Sequence, residues 1–573
     1  MKRIGMVLIG LLIVSSILLT ACQPAATETT VGEEPAPVEE ASSEASAPAE
    51  EAAPTEEVTP TEETPAEAPA SDIVKGGTLI WHSSASVTFD PPFIVDGPSF
   101  NVASQIYSFL FRVKEDGTIL PDLAESWEYE NDNKSVVFHL RHGVTFQDGN
   151  DVFAEGEGRE VVASDVVYSL ERYLTIEGGQ PTSDLVANYE SVEAVDDYTV
   201  RLNLTNPDAL LFINGRGLTS LGILPKEAVD FYGETWNLHP IGSGPFELKE
   251  YIPDDSVTLI ANEDHYIVPN LDEVVFKIIP DETVAALALE AGEIHYLSTS
   301  STTIFDQFAA TEGYDARIGT CPWNWYLHFD YNSPITAQLE VRQAIAHVLD
   351  GERVLKAVLG GLYVGGCGTA GPGVPGYDPD LCNKYFIHDP DLAAQILTDA
   401  GWAKNSAGIW EKDGTPLAVR LEIWKLSPMP DIASALITQM QDFGIDAELV
   451  QVEFGTWIDD FYGGNQKEIM FSNGFCGDGG LSSLWGTNGL AYTLGYTNEE
   501  AAAMLDETNY IVDTVERDAQ LREAQDLIYR DYPALTLGFS AGGEILSDKV
   551  QDYAGTSWFL NLVTTDNNVW LKP

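Results

Sequence analysis

Basic residues are scarce in this chain. Its 573 residues hold 29 Lys and Arg against 90 Asp and Glu, a formal net charge of −61. A surface of that sign repels phosphate backbones and anionic headgroups, which excludes nucleic acid as a partner. Histidine and cysteine are also sparse, at nine and five. Their spacing does not resemble a zinc site, and His82 is the only histidine near the first strand signal. No metal and no cofactor are therefore expected. The chain has no His-Glu-x-x-His, no Gly-x-Ser-x-Gly, no phosphate loop and no dinucleotide fingerprint, so the common hydrolase and nucleotide chemistries have no motif to rest on. Beyond the first twenty residues there is no second membrane segment, and no repeat of fixed period.

What is present begins at the N-terminus. Lys2 and Arg3 precede an apolar run from Ile4 to Leu19, which ends in Leu19-Thr20-Ala21-Cys22. A basic start, an apolar stretch and small residues before a cut mark a secretory signal. Leu-Thr-Ala-Cys resembles the bacterial lipobox, so residues 1–22 are expected to be a lipoprotein signal ending in a lipidated Cys22. Each buried acyl methylene contributes about 0.8 kcal/mol, enough for several chains to hold a soluble domain on a membrane. An uncleaved helical anchor is the alternative, although the run is at the short end for a span. Residues 23–74 are almost wholly Pro, Ala, Glu, Ser and Thr, and Gln23 to Ser71 contains no Lys or Arg. Low hydrophobicity and charge of one sign cannot repay the entropy of folding, so this stretch is expected to be a disordered acidic tether.

The remaining chain, from about Lys75, is too long for one simple core and predicts two or three lobes. Strand and turn signals dominate its first part. Thr78 to Trp81 and Ser135 to Leu140 read as strands, and Val192 to Leu204 reads as a strand pair turning at Asp196-Asp197. Ser164 is placed to cap a helix carrying Val166, Val167, Leu170 and Tyr173. The second half alternates helix and strand. One long helix stripe runs from Val341 to Leu355 and stops at Gly360-Gly361. Asp389-Pro390 opens another helix, and a third ends at Gly444 before a strand alternating at Ile445, Ala447 and Leu449. This alternation points to an α/β lobe with a partly parallel sheet. Setting Cys22 aside, Cys321, Cys367, Cys382 and Cys476 allow three pairings in an exported chain. The preferred set is Cys367–Cys382, closing a Gly/Pro-rich loop, with Cys321–Cys476; free buried thiols are the alternative.

Several stretches resemble one family, the extracytoplasmic solute-binding proteins of ABC importers, in the peptide/nickel-binding group. They are Pro121 to Trp127, Phe138 to Gly149, Ala163 to Leu170, Pro240 to Phe246, and Val341 to Ile345 with Asp350. The resemblance covers nearly the whole folded chain. It implies a two-lobed type II binding-protein fold with an extra subdomain in lobe I, and capture of a solute by hinge closure without covalent chemistry. Lobe I is then expected over 75–322, lobe II over 323–540, and a C-terminal return to lobe I over 541–573, with the chain crossing near 325–332 and 535–541. Most of the shared positions are expected to be structural: Gly143, Gly149, Gly242 and Gly244 in turns, Arg342 fixing a helix.

The resemblance also implies a site. In peptide-binding relatives a carboxylate in a Gly/Asp-rich loop of the second lobe receives the ligand amine. Asp478 matches that position in Phe475-Cys476-Gly477-Asp478, although the usual Asp-Pro pair is replaced by Leu481-Ser482. Lys425 stands where dipeptide binders carry an Arg for the ligand carboxylate, and it lacks the bidentate fork. Trp81, Trp323, Trp325, Trp424 and Trp485 fall near strand ends or cleft-facing loops and could stack on sugar rings. The expectation is a lipid-anchored monomer on the outer face of the cell membrane, delivering a short peptide to an ABC permease. An oligosaccharide receptor of the same family is the alternative, and a secreted hydrolase or a sensory protein represents the other classes.

Overall fold

Strand signals from the two ends of the folded chain meet in one sheet. In the computed structural model the described residues are 73–114, 117–180, 183–213, 217–319, 322–474, 479–487, 489–555 and 560–573. Strand Thr78–Ser83 lies at the centre of a seven-stranded sheet. It pairs in parallel with Glu273–Ile278 on one side and with Tyr296–Thr299 on the other. Beyond Tyr296–Thr299 come Gly543–Ser547 and then Tyr314–Ile318, both antiparallel. A four-stranded antiparallel sheet, Ala124–Glu130, Ser135–Leu140, Thr199–Leu204 and Tyr189–Asp196, is inserted between the first two central strands. Its apolar face (Val136, Phe138, Leu140, Val200, Leu202) joins the same core as Leu79, Trp81 and Phe276. This is lobe I with its extra subdomain. The C-terminal residues Leu560, Leu562, Val563 and Val569 return to that core.

The family-like stretches stitch the insert to the sheet. The Gln147 amide donates to the carbonyls of Phe246 (2.7 Å) and Ile106 (3.1 Å), and its oxygen accepts from the Gly242 amide at 3.1 Å. A Cβ on Gly242 would sit 2.1 Å from the Ile106 carbonyl oxygen, so no other residue fits this close backbone approach. Asp122 is buried and paired with Arg112 at 2.6 Å, and accepts from the Tyr266 hydroxyl at 2.7 Å.

Lobe II is built on a six-stranded mixed sheet in the order Tyr363–Val364, Ala534–Ser540, Trp323–Phe329, Ile469–Gly474, Ala418–Trp424, Asp446–Val452. The last two strands run parallel, and Ala418–Trp424 also pairs in parallel with Ile469–Gly474. Its core includes Leu327, Phe329, Leu421, Ile432, Leu436 and Met440. Arg342 is 3% exposed; it donates to the carbonyls of Thr336 (2.8 Å) and Asp531 (2.8 Å) and lies over the Tyr331 ring. Cys367 and Cys382 are joined in a disulfide with Cα atoms 5.3 Å apart. Cys321 and Cys476 lie outside the described residues, as does Cys22.

Two local expectations are corrected. The helix expected from a Ser164 cap spans Ala163–Thr175, and Ser164 is inside it. Asp165 does the capping by accepting from the Val162 amide at 2.9 Å, because Arg159 holds its carboxylate in place through both oxygens. The stripe from Val341 to Leu355 is two helices, Leu339–Val348 and Gly351–Leu359. Asp350 caps the second by accepting from the Arg353 amide at 3.1 Å, which turns the chain between two apolar faces that share one period. The Asp389-Pro390 helix start is observed over Pro390–Asp399, and Gly444 ends Met429–Phe443 with φ of 100°.

Candidate ligand-binding site

The chain passes between the two sheets twice, and the passages run side by side. Ile318 pairs with Gly543 in lobe I, the Gly319 amide donates to the Gly542 carbonyl at 2.8 Å, and Trp323 pairs with Ser540 in lobe II. The first passage thus lies between Ile318 and Trp323. Residues 325–329, where the sequence suggested a crossing, are already inside the second sheet. Two antiparallel segments joining two sheets form a ribbon, with the Gly319 amide and the Gly542 carbonyl paired within it.

A cavity of ≈ 470 Å³ opens on this ribbon. Gly319, Trp323, Gly542 and Gly543 form its hinge side. The ends of the central lobe I strands supply His82, Ser83 and Phe276, and the strand Tyr296–Thr299 adds Tyr296, Ser298 and Thr299. Glu282 and Glu544 also line it. The volume falls within the roughly 300–1,000 Å³ of small-ligand pockets.

Three side chains of this wall, Glu282, Glu544 and His82, present acceptor atoms. Glu282 accepts from the Thr299 hydroxyl at 2.7 Å and the Ser300 hydroxyl at 2.9 Å. Burial acts to raise its pKa, but these hydroxyls and the Ser300 and Ser301 amides outweigh it and hold the carboxyl below its ordinary value. Glu544, 7% exposed, accepts from Tyr296 (3.3 Å) and Tyr553 (3.2 Å). His82 is 5% exposed, and its Nε2 is 2.9 Å from the Ile279 carbonyl. That contact assigns the proton to Nε2 and leaves Nδ1 an acceptor, with no partner among the described residues. Burial lowers the ring's pKa, against smaller opposing effects of the Ile279 carbonyl and Glu282, which favours the neutral form.

The tryptophans singled out from sequence divide sharply. Trp323 is 53% exposed and lines the cavity. Trp81 is wholly buried and stacks on Tyr296 with ring centroids 3.5 Å apart, so it backs the wall instead of forming it. Trp325 is buried and donates to the Ser540 hydroxyl at 2.9 Å. Trp485 is buried and donates to the Thr369 hydroxyl at 2.7 Å. Trp424 is buried against Trp457 and Phe454, away from the cavity lining. These four rings fill the cores because a large ring turned into the packing between elements gains more by burial than by exposure. Lys425 sits on the surface with its ammonium 2.9 Å from Glu453. Phe475, Cys476 and Asp478 lie outside the described residues.

Sequence reading missed Glu282, Glu544 and Tyr296. Among 90 acidic residues two more stand out poorly. The available signal was Glu544 itself, a charge inside the apolar strand Gly-Glu-Ile-Leu-Ser. Among the described residues no group of three or more His, Cys, Asp or Glu is placed to hold a metal ion, and no helix is long and apolar enough to cross a membrane.

Comparison with known proteins agrees with this architecture. The chain is similar to the heme-binding protein A of Haemophilus influenzae, at 27% identity over 506 residues, covering 82% of this chain and 88% of the relative. It is likewise 27% identical over 432 residues to the dipeptide-binding protein of Escherichia coli, covering 71% of this chain and 77% of the relative. The structure of HbpA2 from Haemophilus parasuis superposes with a TM-score of 0.76 at 23% identity, covering 87% of this chain and 100% of that one, and shares the fold. These relatives are binding proteins, not enzymes. Residues 118–513 match the middle region of the bacterial extracellular solute-binding proteins, family 5, and the chain belongs to that family.

Proposed function

We propose that the protein is a lipid-anchored extracellular receptor that captures a short peptide between its lobes and delivers it to the permease of an ABC importer. The cavity on the two-strand hinge carries this reading. A solute bound there touches lobe I and both connecting strands, so it is favoured by closure and favours closure in turn. The similar dipeptide-binding protein of Escherichia coli supports a peptide as the solute. Asp478 is assigned to the ligand amine, Cys22 to the lipid, and residues 23–74 to the tether. An oligosaccharide is less well supported: sugar sites need several stacking faces, and of the five tryptophans weighed for that role Trp323 alone is exposed.

The test is a thermal-shift screen of the mature protein against di- to pentapeptides and neutral oligosaccharides, followed by calorimetry on Asp478→Asn. A ligand held only by the folded state raises its melting temperature. Stabilisation by peptides, weakened roughly 10- to 100-fold by Asp478→Asn, is the expected result, the size of one charge-assisted hydrogen bond. Tight binding of an oligosaccharide alone overturns the peptide assignment.

A further inference from the structure

Two residues of the cavity wall carry a buried acceptor atom with no donor among the described residues. His82 stands at the end of the strand Thr78–Ser83, and its Nδ1 is buried and unpartnered. Asn101 belongs to the helix Gly97–Ile106, whose first residues Gly97 and Pro98 also line the cavity, and its Oδ1 is likewise buried and unpartnered. The backbone of that helix end is served within the protein. Asp96 caps it by accepting from the Ser99 amide at 2.9 Å, and the Asn101 carbonyl accepts from the Ser104 hydroxyl at 3.1 Å and the Gln105 side-chain amide at 3.2 Å. The two carboxylates of the wall also have donors in the protein, Thr299 and Ser300 for Glu282, Tyr296 and Tyr553 for Glu544. The imidazole nitrogen and the carboxamide oxygen are therefore what the fold leaves to a ligand. Buried acceptors are ordinarily satisfied, because an unmet one costs more than a made hydrogen bond returns. Neither group carries a charge, so an uncharged N–H matches them without bringing an ion out of water.

Resting on the peptide reading above, we propose that His82 Nδ1 and Asn101 Oδ1 form a subsite for main-chain N–H groups of the captured peptide. A peptide offers such an N–H at every residue but proline, whatever its side chain, so this contact reads the backbone of the ligand. Trp323, exposed in the same cavity, offers a ring face to an apolar part of the ligand. Asp478 is assigned to the terminal amine. Backbone and amine contacts thus fall on different groups of the ligand and separate in a test.

Calorimetry on the mature protein compares tri-alanine with its two single-ester analogues, in which lactate replaces the second or the third alanine. Each ester puts an oxygen where one N–H stood and adds no bulk. At least one ester should bind roughly fivefold or more weakly than tri-alanine, because it leaves a buried acceptor unmet. His82→Phe or Asn101→Leu should cancel that penalty and bind ester and amide within about twofold of each other, which a merely structural role would not do. Asp478→Asn should weaken amide and esters alike. Equal binding of tri-alanine and both esters by the unaltered protein overturns the subsite without any variant and leaves the peptide reading intact. A penalty that survives in both variants overturns it as well. If no peptide binds but chitotriose does, with His82→Phe weakening it, and cellotriose, which has no acetamido N–H, does not, the acceptors hold and the peptide reading falls. Binding of cellotriose alone, or of none of these, overturns both.

Discussion

The imidazole of His328 should set part of the acid sensitivity of lobe II. It lies on Trp323–Phe329 at 1% exposure, with Nε2 2.9 Å from the Ser472 hydroxyl and Nδ1 without a partner among the described residues. The Tyr326 and Phe461 rings pack on it, at centroid distances of 5.1 and 5.6 Å. Burial alone pushes its pKa from 6.5 down to about 3. The folded state therefore holds a neutral ring, whereas the unfolded chain takes up a proton near pH 6.5. Below that pH the unfolded state binds more protons, and stability falls as pH drops from about 6.5 toward about 3. At about 1.36 kcal/mol per pH unit, the loss between pH 7 and pH 5 is about 2 kcal/mol. Glu422 works in the opposite sense. It is fully buried on the same sheet with Lys467 at 3.2 Å, and burial raises its pKa against the pull of Lys467. The test must therefore be a difference between two proteins. In urea titrations of wild type and His328→Gln at pH 5, 6 and 7, the variant's relative stability should improve by about 2 kcal/mol from pH 7 to pH 5. A difference that stays constant with pH would refute the argument, whatever the variant's absolute stability.

Other outcomes follow from the same contacts. Gly242→Ala forces a methyl group onto the Ile106 carbonyl oxygen, 2.1 Å from the ideal Cβ, and should lower the denaturation midpoint by about 1–3 kcal/mol or more of stability, whereas no change would mean this approach is not fixed. Replacing Cys367 and Cys382 together by Ala opens a bridge spanning 15 residues and should cost about 3 kcal/mol, read in the same titration. Small-angle scattering should show a smaller radius of gyration once a peptide is bound, and unchanged scattering with a confirmed ligand counts against hinge closure. Cys22→Ala should move the protein from the detergent phase to the aqueous phase, and retention in the membrane through residues 4–19 refutes lipid anchoring.

Much of the architecture was legible because its signals are local. Asp389-Pro390 opens a helix and Gly444 ends one through backbone hydrogen bonds and a positive φ that neighbouring residues do not alter. Ser135–Leu140 forms the strand that its β-branched and aromatic residues suggest, and Val137 on its second face is buried as well. Where two local signals competed, packing chose between them: Asp165 capped in place of Ser164 because Arg159 held it, and Asp350 broke an apolar stripe whose period alone gave no reason to stop. The shared motifs identified the fold through residues such as Gln147, Gly242 and Arg342, whose work is to join backbone segments and which do not line the cavity.

The sequence by itself thus determined the class of the molecule: an acidic α/β chain with binding-protein motifs and an N-terminal segment that reads as signal and tether. Which residues face the cavity was decided only in three dimensions. His82, Glu282, Tyr296 and Glu544 come from distant parts of the chain and meet because Trp81 pairs with Tyr296 and Tyr296 with Leu546 in one sheet. Tryptophan type could not separate Trp323 from Trp81, Trp325, Trp424 and Trp485, because the same ring is stabilised by burial in a core or by stacking on a ligand. Its exposure depends on which side of a strand end the hinge leaves open, and that follows from the pairing of two passages more than two hundred residues apart, Trp323 with Ser540.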